Sequence, residues 1–115
     1  MRLKAGIWVS AYIRQLSAAA IPVAVVRRGD PDAGAIFIKI NMLDGFAQVL
    51  RPAASGLQGS DVSRRWSQAL PGSRSEEGSA DAYLNRQAGF DSDMWVVEVE
   101  DRQGRHFLDE FLVSE

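Results

Sequence analysis

The sequence predicts an α+β domain: a mainly antiparallel sheet of about five to six strands, covered on one face by two helices, in the order α-β-β-β-β-α-β-β. Three observations carry that prediction. Apolar residues recur at helical spacing over residues 5–20 and stop before Pro22. Three β-branched runs, 23–28, 35–41 and 46–51, follow one another with short turns between them. The stretch MWVVEVED at 94–101 alternates apolar and acidic side chains.

In the first segment Trp8, Val9, Tyr12, Ile13, Leu16, Ala19 and Ala20 fall on one helical face, and Ser10, Arg14 and Ser17 on the other. A strand reading, with Ile7, Val9, Ala11 and Ile13 alternating, fits the same run; its length and its alanines favour the helix. VAVVRR and AIFIKIN flank RRGDPDAG, which reads as a hairpin connection, and FAQVLR follows the pair Asp44-Gly45, a strong hairpin signal. These three strands make an antiparallel meander. In the second, Ile36, Ile38 and Ile40 share the face expected to look into the core, with Phe37 and Lys39 on the other.

Residues 52–63 and 71–79 read as internal loops by composition, with a short strand in RRWSQAL between them, anchored by Trp66. A short helix is expected over 80–88, capped by Ser79, with Asp81 in its first turn and Gly89 past its end. In the last alternating run Trp95, Val97 and Val99 point one way and Glu98 and Glu100 the other. Arg102-Gln103-Gly104 then turns the chain into RHFLDEFL, a closing hairpin.

With 115 residues, 46% hydrophobic and 24% charged, the chain suits one domain spanning 1–115. A chain of this size buries roughly two thirds of its unfolded surface, so it needs no disulfide or metal staple. It has no cysteine, which excludes thiol nucleophiles, thiolate zinc sites and disulfides and fits a reducing cytoplasm. No run approaches the ~20 apolar residues of a membrane span, and Arg14 and Gln15 interrupt the apolar start, so a mature soluble chain is expected. The basic start and the SAAA run nevertheless resemble a weak export signal.

Charge is unevenly spread. Residues 1–51 carry seven basic and three acidic side chains, residues 52–115 six and twelve. The two parts are expected to face one another within the fold or across a homodimer. A pI near 5.4 argues against nucleic-acid binding, which needs a basic face. The expected partner is a protein or a small anionic ligand.

The segments LKAGIWVSAYIR, VVRRGDPDAGAIFIKIN and FDSDMWVVEVEDRQGRHFLDEF, in that order, resemble a family of short bacterial proteins catalogued only as a domain of unknown function. The resemblance covers most of the chain apart from residues 52–78. It implies a bacterial, cytoplasmic, single-domain protein and brings no activity, substrate or site residue with it.

No complete catalytic constellation stands in the sequence. Neither G-x-x-x-x-G-K-[ST] nor G-x-G-x-x-G occurs, no G-x-S-x-G elbow presents a serine, and with His106 as the one histidine a two-His metal helix is impossible. No cofactor is expected. His106 is a weak catalytic candidate as a lone base oriented by Asp109 or Glu98, but it sits at an expected strand start without a nearby nucleophile, and a structural role outweighs it. Asp91, Asp93, Glu98, Glu100 and Asp101 have the spacing of a turn and one strand face, not of a wrapped metal loop. Trp8, Trp66 and Trp95 have the apolar company of core residues rather than of a base-stacking platform.

That leaves the loop residues Arg27, Arg28, Asp30 and Asp32 as the candidate binding site. Successive strand residues point to opposite faces, so one arginine at most can project toward a given ligand. The plain reading is a turn whose arginines are neutralised by its own aspartates, with Gly29 and Gly34 supplying backbone freedom; the alternative is an anion- or peptide-binding loop. The function expected is a non-enzymatic binding or protein-interaction module using Arg27 and Arg28. The alternatives are a small enzyme with His106 and a carboxylate as its acid–base pair, and nucleic-acid binding.

Overall fold

The computed structural model describes residues 2–54 and 64–114. Helix α1 spans Ala5–Ala18 and buries Ala5, Val9, Tyr12 and Leu16, the three-and-four spacing of one helical face. It closes where the Ile21 N–H donates to the Leu16 carbonyl and the Ala20 N–H to that of Ser17, with Ala20 at φ 60°. That left-handed residue is normally glycine. Ala19 and Ala20, expected on the apolar face, therefore lie outside the helix and are exposed.

The strands are β1 (Val23–Arg27), β2 (Ile36–Asn41), β3 (Phe46–Pro52), β4 (Trp66–Gln68) and β5 (Ser75–Glu76); helix α2 (Glu77–Phe90) then precedes β6 (Trp95–Glu100). They form one sheet in the order β1-β6-β2-β3-β4, with β5 on β3. All pairs are antiparallel except β2 with β6. The fold is α+β, as the periodicities predict.

The expected hairpin between β1 and β2 is not formed, because β6 lies between them. The loop between the two strands instead straddles the start of β6: the Asp30 N–H donates to the Asp93 carbonyl at 2.9 Å, and the Trp95 N–H to the Ala35 carbonyl at 2.7 Å.

The helices do not share a face either. α1 packs on Ile36, Ile38, Ile40, Leu50, Trp66, Trp95, Val97 and Val99, whereas Ala80 and Leu84 of α2 pack with Phe37, Ala47, Val49 and Val96 on the other face. With both faces covered, Phe37 and Lys39 are buried alongside the isoleucines, as the central strands of a parallel pair usually are.

The closing hairpin is also absent. Both edges of β6 are already taken by β1 and β2, so a strand at 105–112 has no ladder to join. The chain instead turns at Gly104 (φ 71°), the Asp101 carboxylate accepts from the backbone N–H, Nε and Nη2 of Arg105, and a single 3-10 turn follows at Asp109–Phe111. Leu112 meets Trp66 as an isolated bridge.

Helix α2 starts at Glu77, ahead of the cap expected at Ser79. The N–H of Glu77 is bonded to the Gly45 carbonyl directly after β5, so the chain passes from strand to helix without a loop. Residues 71–79 accordingly hold β5 and the first turn of α2, and Gly89 lies inside the helix. The loop expected at 52–63 begins within β3 at Pro52, and its residues 55–63 lie outside the described residues. No described helix is long and apolar enough to cross a membrane.

Candidate interaction site at the β1 edge

RRGDPDAG is built as a bracket. Its carbonyls cap α1: the N–H groups of Ala5 and Gly6 donate to Asp32 and Pro31 at 3.2 and 2.8 Å, in place of a side-chain cap on Lys4. The Trp95 indole N–H donates to the Asp30 carbonyl at 2.8 Å, and the Asp30 carboxylate accepts from the N–H groups of Asp32 and Ala33 at 3.1 and 2.8 Å. Asp32 pairs loosely with Lys4 at 3.7 Å, both side chains exposed.

Neither glycine is there for backbone freedom, since neither has positive φ. A Cβ on Gly29 would stand 2.2 Å from the Asp93 carbonyl oxygen, and one on Gly34 2.4 Å from the same atom. They are glycine because the loop crosses the 93–95 chain too closely for any side chain.

The aspartates are thus spent on backbone and Lys4, and among the described residues neither neutralises Arg27 or Arg28. Arg28 lies exposed with its guanidinium 5.4 Å from the Trp95 ring centroid. Arg27 shares the α2 face with Val96, its register partner. Its Nη2 donates to the Ser92 carbonyl at 3.3 Å, and its buried Nε–H has no acceptor among the described residues. It lines a cleft of about 390 Å³ between β1 and α2, together with Val26, Lys39, Asp81, Leu84 and Glu98.

The second cation of that cleft is saturated. Lys39, 5% exposed, donates to Glu77 at 2.8 Å and Asp81 at 2.7 Å and lies 3.5 Å from Glu98. Burial alone would lower the pKa of its ammonium, but the hydrogen bonds to Asp81 and Glu77 and the charge of Glu98 outweigh it and raise the value. The Glu98 side of β6 is therefore partly an ion-pair network under α2, with Lys39 of the neighbouring β2 at its centre. No group of three or more His, Asp and Glu among the described residues is arranged to hold a metal.

β1 is an edge of the sheet. Its ladder to β6 shifts between Val25 and Arg27, leaving Val26 bulged and 61% exposed, with Val25 38% exposed. The Glu100 N–H bonds to the Pro22 carbonyl, so by the two-residue alternation of an antiparallel ladder the polar groups of Ala24 also face β6. The N–H and C=O groups of Val23 and Val25 then face outward.

His106 is remote from this site. It is 4% exposed; its Nδ1 accepts the Leu108 N–H at 3.0 Å and its carbonyl accepts the Tyr12 hydroxyl at 2.8 Å. Burial lowers its pKa, with Asp109, 3.8 Å away, opposing weakly. The ring is buried and its Nδ1 is already occupied by a main-chain hydrogen bond. Glu98, its other suggested partner, lies instead beside Lys39.

A second cleft, of about 410 Å³, lies at the start of α1 and includes Arg2, Lys4, Arg64 and Arg65 with Asp32 and Asp91. Arg64 donates to the Leu3 carbonyl at 2.9 Å, and its pKa is lowered by burial and then by nearby Arg2.

Fold and site together define a small α+β domain in which, among the described residues, no strand pairs with the outer side of β1. The chain belongs to the family described as "Protein of unknown function (DUF1491)", whose profile matches residues 3–109. It is similar to the crystal structure of a DUF1491 family protein from Caulobacter crescentus CB15, with 38% identity over 99% of this chain and 100% of that one and a TM-score of 0.80. The NMR structure of a DUF1491 family protein from the same organism is 39% identical, covering 99% of each chain, with a TM-score of 0.79. The solution structure of protein Atu0922 from A. tumefaciens is 38% identical over 87% of this chain and 86% of that one, with a TM-score of 0.72. No curated protein matches the chain. The family has no assigned function.

Proposed function

We propose that the chain is a one-domain, non-enzymatic protein-interaction module of the cytoplasm that accepts an extended segment at the β1 edge, beside Arg27 and Arg28. One observation carries this reading: the outward polar groups of Val23 and Val25 lie on an edge strand whose side chains are exposed at Ala24, Val25 and Val26. An edge of this kind is a template for another strand, with main-chain hydrogen bonds supplying affinity and side chains at the ends supplying selection. The lack of cysteine is what favours the cytoplasm.

The test is selection of extended peptides from a display library on the intact protein, followed by amide hydrogen exchange on the complexes. Selected peptides should slow exchange at Val23 and Val25, and Val25→Pro, which deletes an outward donor, should abolish their binding. Binders that protect other residues and leave β1 unchanged would sink the reading.

A further inference from the structure

We infer that the strand accepted at this edge is β1 of a second copy of the same chain, paired antiparallel about a two-fold axis near Val25, so that two sheets join into one. The inference rests on the reading of the β1 edge given above and names its partner.

The first argument is charge. A two-fold contact places the same surface against itself, so the surface must be complementary to its own reversed image. The β1 edge is. Arg27 and Arg28 stand at the C-terminal end of the strand; at its N-terminal end the neighbouring β6 presents exposed Glu100, whose N–H bonds to the Pro22 carbonyl, while Glu98 is already held by Lys39 and Asn41. Antiparallel pairing lays the basic end of each copy beside the acidic end of the other. A purely acidic ligand would meet Glu98 and Asp81 in the cleft that Arg27 lines, and a purely basic one would meet Arg27. A partner carrying both signs in reversed order satisfies both ends, and a second copy does so by construction.

The second argument is hydrogen bonding. About an axis at Val25 the outward N–H and C=O of Val25 lie opposite the same groups of the second copy, the arrangement in which an antiparallel pair exchanges both bonds. With the axis at Val25, the two Val25 side chains meet on the α1 face and Ala24 meets Val26 on the other, which covers the exposed apolar surface of the strand. The bulge at Val26 ends the regular ladder and limits pairing to a short stretch, so the dimer is expected to be a reversible one.

Sedimentation equilibrium on the full chain tests this, with circular dichroism as the check of folding. The wild type should show a monomer–dimer equilibrium, Val25→Pro should be monomeric at every concentration, and Glu100→Arg should weaken the dimer by roughly tenfold because the axis repeats each contact. The double variant Arg27→Glu, Glu100→Arg, which exchanges the signs, should recover most of that loss. A wild-type chain that stays monomeric overturns the inference, as does a dimer indifferent to both Val25→Pro and Glu100→Arg. If the chain is monomeric while selected peptides still protect Val23 and Val25, the edge reading stands and only the second copy is removed.

Discussion

The carbonyl oxygen of Asp93 lies so close to Gly29 that a methyl group on Gly29 would stand 2.2 Å from it. Main chain meets main chain there, with the Trp95 ring also within 2.6 Å of the added carbon, so no flexible side-chain end can withdraw. Gly29→Ala should therefore cost about 2–3 kcal/mol, the range of overpacking in a rigid site. The contrasting change is Gly89→Ala in α2, where an added Cβ meets nothing within 4 Å. Relief of backbone entropy in a helix should make that variant more stable by about 0.5–1 kcal/mol. Urea denaturation of the two variants checks both signs at once.

Helix α1 ends on an alanine in a conformation that suits glycine, with Ala20 at φ 60°. Ala20→Gly should raise stability by about 1 kcal/mol, seen as a higher urea midpoint with an unchanged slope.

Lys39→Met retains the length of the side chain and removes its charge, leaving Glu77, Asp81 and Glu98 to face one another. Because Glu77 and Asp81 keep 36% and 54% of their side-chain exposure, they rehydrate, and the loss should be about 2 kcal/mol rather than the larger value of a fully buried pair. The raised pKa of Lys39 has a definite sign. Its stabilising contribution is complete below the ordinary value of 10.5 and is lost as pH rises beyond it toward the folded value. Alkaline denaturation of wild type and Lys39→Met should thus converge as pH increases.

His106 sets the acid side. Its folded pKa is lowered by burial, so the unfolded chain binds the proton more readily and stability falls as pH drops below the ordinary 6.5. Thermal melts from pH 7 to 5 should show this decline in the wild type, with a shallower slope in His106→Gln. An unchanged slope in the variant would assign the acid sensitivity to other groups.

Much of the architecture was legible in the residues. The helical spacing of Val9, Tyr12 and Leu16 predicts α1, the alternation of Trp95, Val97 and Val99 predicts that these three share one buried side of β6, the side under α1, and the family likeness rests on the same stretches. The site was legible only in part. Arg27 and Arg28 stand out in the sequence, but sequence nearness does not decide their partners: Asp30 and Asp32 are taken by backbone N–H groups and Lys4.

The sequence by itself determined where α1, β1, β2, β3 and β6 run and which of their side chains share a face, since both follow from a local period along one chain; β5, the start of α2 and the absence of a strand at 105–112 depend on contacts that no local period states. Strand order, the placement of α1 and α2 on opposite faces, and the exposure of β1 as an edge were decided by the tertiary structure. A period of two states which way a side chain points and is silent on which strand lies beside it. Here β6, apolar enough on both faces to be buried, inserts between β1 and β2, and that insertion turns RRGDPDAG from a hairpin into a bracket and leaves the outer side of β1 without a partner strand among the described residues.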